Sequence, residues 1–514
     1  MKLIKMLRHY SDRDVFWLLF FLLIIFLIRL PILNVSVLDW DESMYWTIAQ
    51  DIADGGVPYK TTWDNKGPLL FLVFVPVVSV FDNSIPALRI FTTLYLLLSM
   101  YFLYLFSRRL ISGFASLVAP LVFGLFFVIP NFQGFASNGE LFMMLPVILS
   151  LIMYIDHEKK RSLILLFLSG FFSSIAFFIK GTAIFSVMVI PIMFFYSFIA
   201  EEFYAFKSLI RKLAYYFLGV ITPLIILNVY FWYNGALADF YYAVFTANSK
   251  YVGMLPFSEG LLNTYKFVYQ TILINYEIIT LLAAAGLIYL LIELIRKKHS
   301  NEERSTLFLI LILSVLSVVG VICGKRMYPH YYLQIALPYS LIIAYAILSL
   351  QLERKYIKTF MILVLIICIV QSPLQKVMAY KDRVDLRRSD QYRSDHNESY
   401  EIANYLQNRT KNNEKILVLG GQPVIYFLSE RKSPIKVFWW NDNHIETIRR
   451  ITDFEETFLP SLQKDKPTYV IYYIGEDPKQ RLRFNYFGQF INENYLIETT
   501  IGRYKLYKLN VQRK

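Results

Sequence analysis

Apolar runs of about 18–25 residues alternate with short polar stretches as far as residue 373, and then they stop. A run of that length matches a hydrocarbon core about 30 Å thick, at about 1.5 Å of helix rise per residue. The runs predict membrane-spanning helices over 15–33, 85–106, 111–129, 139–155, 162–179, 183–199, 213–233, 268–294, 305–323, 331–350 and 356–373. The first run is expected to stay as a span, because it is too long for a cleaved leader and lacks a small-residue cleavage site. The apolar stretch 68–81 has 14 residues. It is expected to be re-entrant or interfacial, a short true crossing being the alternative.

Charge orients the bundle. With 68–81 not crossing, about 19 basic residues fall on the side of the N-terminus and about eight on the other, as the positive-inside tendency requires. The expectation is therefore about 11 spans in a cell membrane, with the N-terminus cytoplasmic. The net charge of +13 over 514 residues belongs largely to these loops and does not predict nucleic-acid binding. Beyond residue 380 short β-rich runs (415–420, 423–429, 467–474 and 495–509) alternate with helical stretches. The reading is a polytopic α-helical membrane domain over 1–375 and a small extracytoplasmic α/β domain over 380–514. Cys323 and Cys368 both fall in or beside spans, so no disulfide framework is expected.

One stretch does not follow the pattern. Residues 34–67 form a first external loop, a polar island with Asp39, Asp41 and Glu42 directly after the first span and Lys66 near its end. Between them Met44, Tyr45, Ile48, Ala49 and Ile52 recur at helical spacing. Asp39 and Glu42 have the spacing of a capping box. Asp41 is left without that explanation. It is either a surface acid or a carboxylate able to take a proton from a bound hydroxyl. Lys66 is either a snorkelling lysine or a partner for an anionic headgroup. Glu140 either favours a helix N-terminus or lines a polar cavity. Lys180 lies alone between two apolar runs. Lys325, Arg326, His330, Tyr331 and Tyr332 form the densest external cluster, read as an aromatic belt with anchoring cations or as a phosphate site.

The first loop, DWDESMYWTIAQDIADGGVPYKTTWDNKGP, resembles that of C-type glycosyltransferases of the protein-mannosyltransferase and lipid A aminoarabinose transferase kind, glycosyltransferase family 39. Asp41-Glu42, Tyr45, Gly55-Gly56, Lys66 and Pro68 carry the likeness. SNGELF at 137–142, IKGTAIF at 179–185 and HYYLQIALP at 330–338 are similar to further segments. The resemblance implies a GT-C fold and transfer of a sugar, with inversion, from a polyprenyl-phosphate donor to an acceptor hydroxyl at the outer membrane face. The acceptor would be a membrane lipid, glycan or protein. It implies Asp41 and Glu42 as catalytic residues and Tyr45 and Glu140 in the acceptor or sugar pocket. Lys66, Lys180, Lys325, Arg326, His330 and Tyr331 would bind the donor phosphate. No metal or other cofactor is required. Some relatives carry an arginine where this chain has Met44. The alternative function is a flippase of a lipid-linked sugar, which would favour polar residues buried mid-span and pseudo-symmetric halves.

Overall fold

A computed structural model of the chain describes residues 12–200, 206–269, 278–296, 300–371, 390–420, 422–439, 445–474 and 485–510. The chain divides into two compact units. The first joins residues 1–32, 90–227 and 255–378; the second joins 33–89, 228–254 and 379–514.

The first unit is helical. Among the described residues seven helices are long and apolar enough to cross a membrane: Asp14–Ile32, Ile85–Leu110, Gly139–Lys160, Phe206–Tyr233, Ile278–Ile295, Asn301–Cys323 and Pro329–Ser349. Gly113–Phe126, Leu163–Ile179 and Ala183–Ile199 are shorter apolar helices at other expected spans, and Arg354–Gln371 lies at the last one. The protein is a multi-pass helical membrane protein.

Small residues let helices approach closely, as packing in lipid favours. A Cβ on Gly170 would lie within 1.9 Å of the Tyr216 carbonyl oxygen, and one on Gly219 within 2.0 Å of that of Phe167. The same crossing carries a hydroxyl chain. Tyr216 donates to Ser173 at 2.9 Å, and Ser173 and Ser150 lie 2.7 Å apart. The hydroxyls satisfy one another where water is excluded.

A buried charge organises one end of this unit. Arg29, fully buried, donates to Thr93 Oγ1 and to the carbonyl oxygens of Phe127, Gly134 and Phe135. Four acceptors replace its lost hydration, and three of them fix the backbone of the loop before Gly139.

The second unit is α/β. The loop after the first span forms the helix Trp40–Ala53 and the short helices Pro68–Leu72 and Val75–Phe81. At about 1.5 Å per residue neither short helix could span about 30 Å alone. Four strands make one sheet: β1 (Ile416–Leu419), β2 (Tyr469–Tyr473), β3 (Tyr495–Ile501) and β4 (Tyr504–Leu509), in the order β1-β2-β4-β3. β1 and β2 are parallel, joined through the helices Ile445–Ile451 and Phe454–Lys464. β3 and β4 form a hairpin with Gly502 at φ +52 in its two-residue turn.

One expected strand is a helix. Val424–Ser429, all six residues buried, makes a short helix behind Pro423. A short run apolar on every face suits a buried strand or a buried helix equally, and Pro423 presets the helical φ. Phe427 lies 5.9 Å from Trp46, and Tyr426 accepts the Val418 N–H at 2.8 Å.

The close helix crossing makes a checkable contrast. Gly170→Ala should destabilise the protein by about 1–3 kcal/mol, because the new methyl meets backbone. Gly181→Ala, which meets nothing within 4 Å, should be near neutral. Thermal unfolding of both variants in the same detergent measures this; equal midpoints would contradict the packing argument.

Candidate active site

The candidate residues fall into two groups, one in each unit. The group in the second unit starts with the helix Trp40–Ala53. Asp39 stands at its N-cap, but its side chain makes no capping bond. The expected capping box is thus not formed. Glu42 instead accepts the Leu38 N–H at 2.7 Å and a two-pronged hydrogen bond from Arg89, both contacts at 2.5 Å. Neither Glu42 nor Arg89 has any side-chain exposure. Arg89 also donates to the Val35 carbonyl and lies 4.9 Å above the Trp46 ring. A forked guanidinium matched to a carboxylate is the geometry that offsets burial of both charges.

Glu42, so held, turns the helix to present its neighbour. Asp41 is a quarter exposed and accepts from Tyr45 Oη at 3.0 Å. Its Oδ2 lies 3.9 Å from Lys66 Nζ. Lys66 also lies 3.7 Å from Asp64 Oδ1 and donates to Asn65 Oδ1 at 3.2 Å. Asp64 is fully buried.

The Lys66 backbone is pinned from below. Tyr59, in the left-handed region at φ 69, donates to the Lys66 carbonyl at 2.7 Å. Burial, with the charge of Asp64 adding to it, pushes the Tyr59 hydroxyl well above its ordinary range, so it stays a donor. Asn248 donates to the Asn65 carbonyl at 2.6 Å. The loop that carries Lys66 is therefore set by hydrogen bonds on both sides.

The first unit holds the other group. Glu140 sits in the first turn of the helix Gly139–Lys160, 1% exposed, with Oε1 2.9 Å from Lys180 Nζ. Glu140 Oε2 is buried and accepts no hydrogen bond among the described residues. Lys180 caps the helix Leu163–Ile179 and lies 5.2 Å from the Tyr331 ring centroid. Its charge is thus shared between a carboxylate and a π face.

His330 Nδ1 lies 2.8 Å from Gln133 Oε1, in the loop that Arg29 holds. Lys325 and Met327 both adopt positive φ, a bend that sends Lys325 Nζ to the Leu255 carbonyl at 2.7 Å. Arg326 lies between them, its backbone N–H on the Gly324 carbonyl. The structure therefore brings Glu140, Lys180 and Tyr331 together, and Asp41, Tyr45 and Lys66 together. Lys325 is directed to a backbone oxygen.

Three residues were not singled out from the sequence: Arg29, Arg89 and Asp64. A signal existed for each. Arg29 and Arg89 are charges inside or at the edge of apolar runs, where an ionisable group needs a partner. Asp64 lies two residues before Lys66. Among the described residues no three His, Cys, Asp or Glu side chains are grouped to hold a metal ion.

No protein-family model matches the sequence, and no curated protein matches it. Solved structures do match. ArnT from Cupriavidus metallidurans bound to undecaprenyl phosphate aligns over 97% of this chain and 98% of its own, with 11% identity and a TM-score of 0.59. The Archaeoglobus fulgidus oligosaccharyltransferase in its apo form aligns over 90% of this chain and 70% of its own, with 14% identity and a TM-score of 0.52. The same oligosaccharyltransferase in complex with Zn and sulfate gives 12% identity and a TM-score of 0.51, over 95% of this chain and 73% of its own. The chain has the GT-C glycosyltransferase fold. In this GT-C chain the likeness runs through both units, so the fold expected from the first-loop motif holds for nearly the full length.

The Glu42–Arg89 pair gives the next prediction. Arg89→Leu should cost about 3–5 kcal/mol, because it leaves a buried carboxylate without its partner. The double variant Glu42→Leu/Arg89→Leu should recover much of that loss. Chemical denaturation of the two variants and the unaltered chain measures both; a double variant no better than the single would show that the pair does not act as a unit.

Proposed function

We propose that this protein is an inverting glycosyltransferase that moves a sugar from a polyprenyl-phosphate donor to an acceptor hydroxyl at the outer face of a cell membrane. The observation that carries the reading is Asp41 beside Lys66, a partly exposed carboxylate and a partly exposed ammonium 3.9 Å apart. The GT-C fold supports it, as does a structural neighbour crystallised with undecaprenyl phosphate. Membership of glycosyltransferase family 39 in particular belongs to this proposal, on the first-loop motif. So do the cytoplasmic N-terminus and the extracytoplasmic domain over 380–514, on the distribution of basic loops.

The chemistry follows from the pair. The leaving group is a lipid phosphate whose negative charge grows as the glycosidic bond breaks, so a cation beside it lowers the barrier. Lysine binds phosphate as a point charge. A phosphate that draws Lys66 toward itself weakens the contact between Lys66 and Asp41. Asp41 is then free to take the proton of the attacking hydroxyl, while Tyr45 holds its Oδ2 in place. Donor binding and base activation become one event. Glu42, wholly occupied by Arg89 and the Leu38 N–H, acts in this scheme as a positioning residue.

In the first unit we assign Tyr331, His330 and Arg326 to the donor, with Lys180 oriented by Glu140. Lys325 would join them by giving up the Leu255 carbonyl. A flippase reading has less support. The buried mid-span polar groups that the helices carry, such as Ser150 and Ser173, satisfy one another rather than a passing headgroup.

Purified protein given a radiolabelled polyprenyl-phosphate sugar and an acceptor should release free polyprenyl phosphate. Asp41→Asn should slow the release by about 10²–10⁴-fold while leaving the fold and donor binding intact. An unaltered rate would remove Asp41 from the reaction. Intact donor recovered on the opposite leaflet of a vesicle, with no phosphate released, would favour the flippase. Lys66→Met should instead weaken donor binding and transfer together.

A further inference from the structure

The Lys66 ammonium takes its direction from a segment far away in sequence. Its Nζ lies 3.9 Å from Asp41 Oδ2 and 3.7 Å from Asp64 Oδ1, both longer than an ordinary hydrogen bond. It lies 3.2 Å from Asn65 Oδ1, which is within hydrogen-bond range. Coulomb attraction falls slowly with distance and has no preferred angle, whereas a hydrogen bond is strict in both. The two carboxylates therefore keep the charge near, and the Asn65 amide aims it. Being neutral, that amide anchors the ammonium without cancelling the charge a phosphate would meet.

Donor chemistry fixes which way the amide points. Lysine only donates, so the Asn65 atom facing it is the oxygen. Asn65 Nδ2 then faces the other way, and it donates to Asn248 Oδ1 at 3.1 Å. Asn248 Nδ2 in turn donates to the Asn65 carbonyl at 2.6 Å and to the Val244 carbonyl at 2.9 Å. Rotating the Asn65 amide would set its NH2 against the ammonium and its oxygen against another oxygen. Rotating Asn248 as well would set that oxygen on two carbonyls. The pair thus permits one arrangement. Asn65 is 5% exposed, so water has little access to replace these partners. Its backbone N–H is also taken, by Asp64 Oδ1 at 2.6 Å.

Local winding sets Asn248. It follows Tyr242–Ala247, a turn of π-helix. Such turns are rare and recur at functional sites. The Asn248 amide lies over this turn, on the Val244 carbonyl and 3.4 Å from that of Ala243. Asn65 and Asn248 are 183 residues apart and belong to the same unit.

We propose that Asn65 and Asn248 are positioning residues for sugar transfer: their paired amides orient the Lys66 ammonium for the donor phosphate. The inference rests on the transfer reading above for its reaction and on the amide geometry for the orientation. A lysine that keeps its charge but loses its aim still attracts a phosphate, so donor binding survives. The contact that must tighten as the leaving group departs does not.

Steady-state transfer by the purified full chain tests it. Asn248→Ala should lower kcat by about tenfold and leave the donor KM within about threefold. Asn65→Ala, which keeps the carbonyl that Asn248 holds, should do the same, and it reads the proposal if the first variant does not fold. Added to Lys66→Met, either change should cause no further loss, because the group it orients is gone. A role in folding alone would multiply the two losses. A second readout needs no sugar. Trace acetylation of the lysines, quantified residue by residue by mass spectrometry, should label Lys66 about threefold or more faster in both variants, because an ammonium that loses a hydrogen-bond acceptor gives up its proton more readily. If the unaltered chain releases no polyprenyl phosphate, the transfer reading fails and acetylation still decides the orientation. Unchanged kcat in a folded variant of a chain that does transfer, further loss in the Lys66→Met background, or unchanged labelling of Lys66 would overturn the proposal.

Discussion

The buried pair of Glu42 and Arg89 is the interaction on which the candidate site depends. Removing two charges from water costs several kcal/mol per ion, and only good geometry offsets it. Here the guanidinium meets both carboxylate oxygens, Glu42 also accepts the Leu38 N–H, and Arg89 also reaches the Val35 carbonyl. Those two backbone contacts fix the chain just before the helix Trp40–Ala53. The helix start is therefore set without a capping side chain. Asp41 follows from this: with Glu42 locked, its neighbour is held at a set angle rather than free to rotate with a fraying end.

The first unit also keeps two buried charged groups, one bonded to carbonyl oxygens and one in an ion pair. Arg29 fixes the backbone of residues 127–135 by three hydrogen bonds, and Glu140 with Lys180 ties the start of one helix to the end of another. In each case a charge that an apolar helix would reject is kept because it organises a loop. The apolar run supplies the helix, and the buried charge with its partners supplies the position of the polar residues at its end. Replacing such pairs by hydrophobic residues can leave stability unchanged, so their retention is better read as precision than as strength.

That division explains how far the sequence could be read. The helices were legible because a period and a length suffice to identify them. Asp41 and Lys66 were legible because they are polar residues that a span boundary does not require. Their mutual distance was not, since it depends on the turn through Tyr59 and on Asn248, 183 residues from Asn65. Arg89 was visible only as a charge at a span edge, because its partner is 47 residues away. The spacing of Asp39 and Glu42 suggested a capping box, and a long-range ion pair took Glu42 instead. Val424–Ser429 was misread as a strand for a different reason: burial on all sides removes the periodicity that separates strand from helix.

Lys66 sits between two carboxylates of unequal character. Asp64 is buried and cannot move to solvent; Asp41 is a quarter exposed and can. An anion arriving at Lys66 therefore competes with both, but on unequal terms. The buried Asp64 loses most if its cation leaves, because its charge would remain in a poorly solvated place. Asp41 can exchange the cation for water or for a hydroxyl at smaller cost. In the proposed reaction this asymmetry would divide the roles: Asp64 would keep the lysine in position, and Asp41 would be the acid that lets go. A lysine with one partner would be removed by its ligand or would refuse it. With two partners of different burial it would, in the proposed reaction, bind a phosphate and release a base in the same movement.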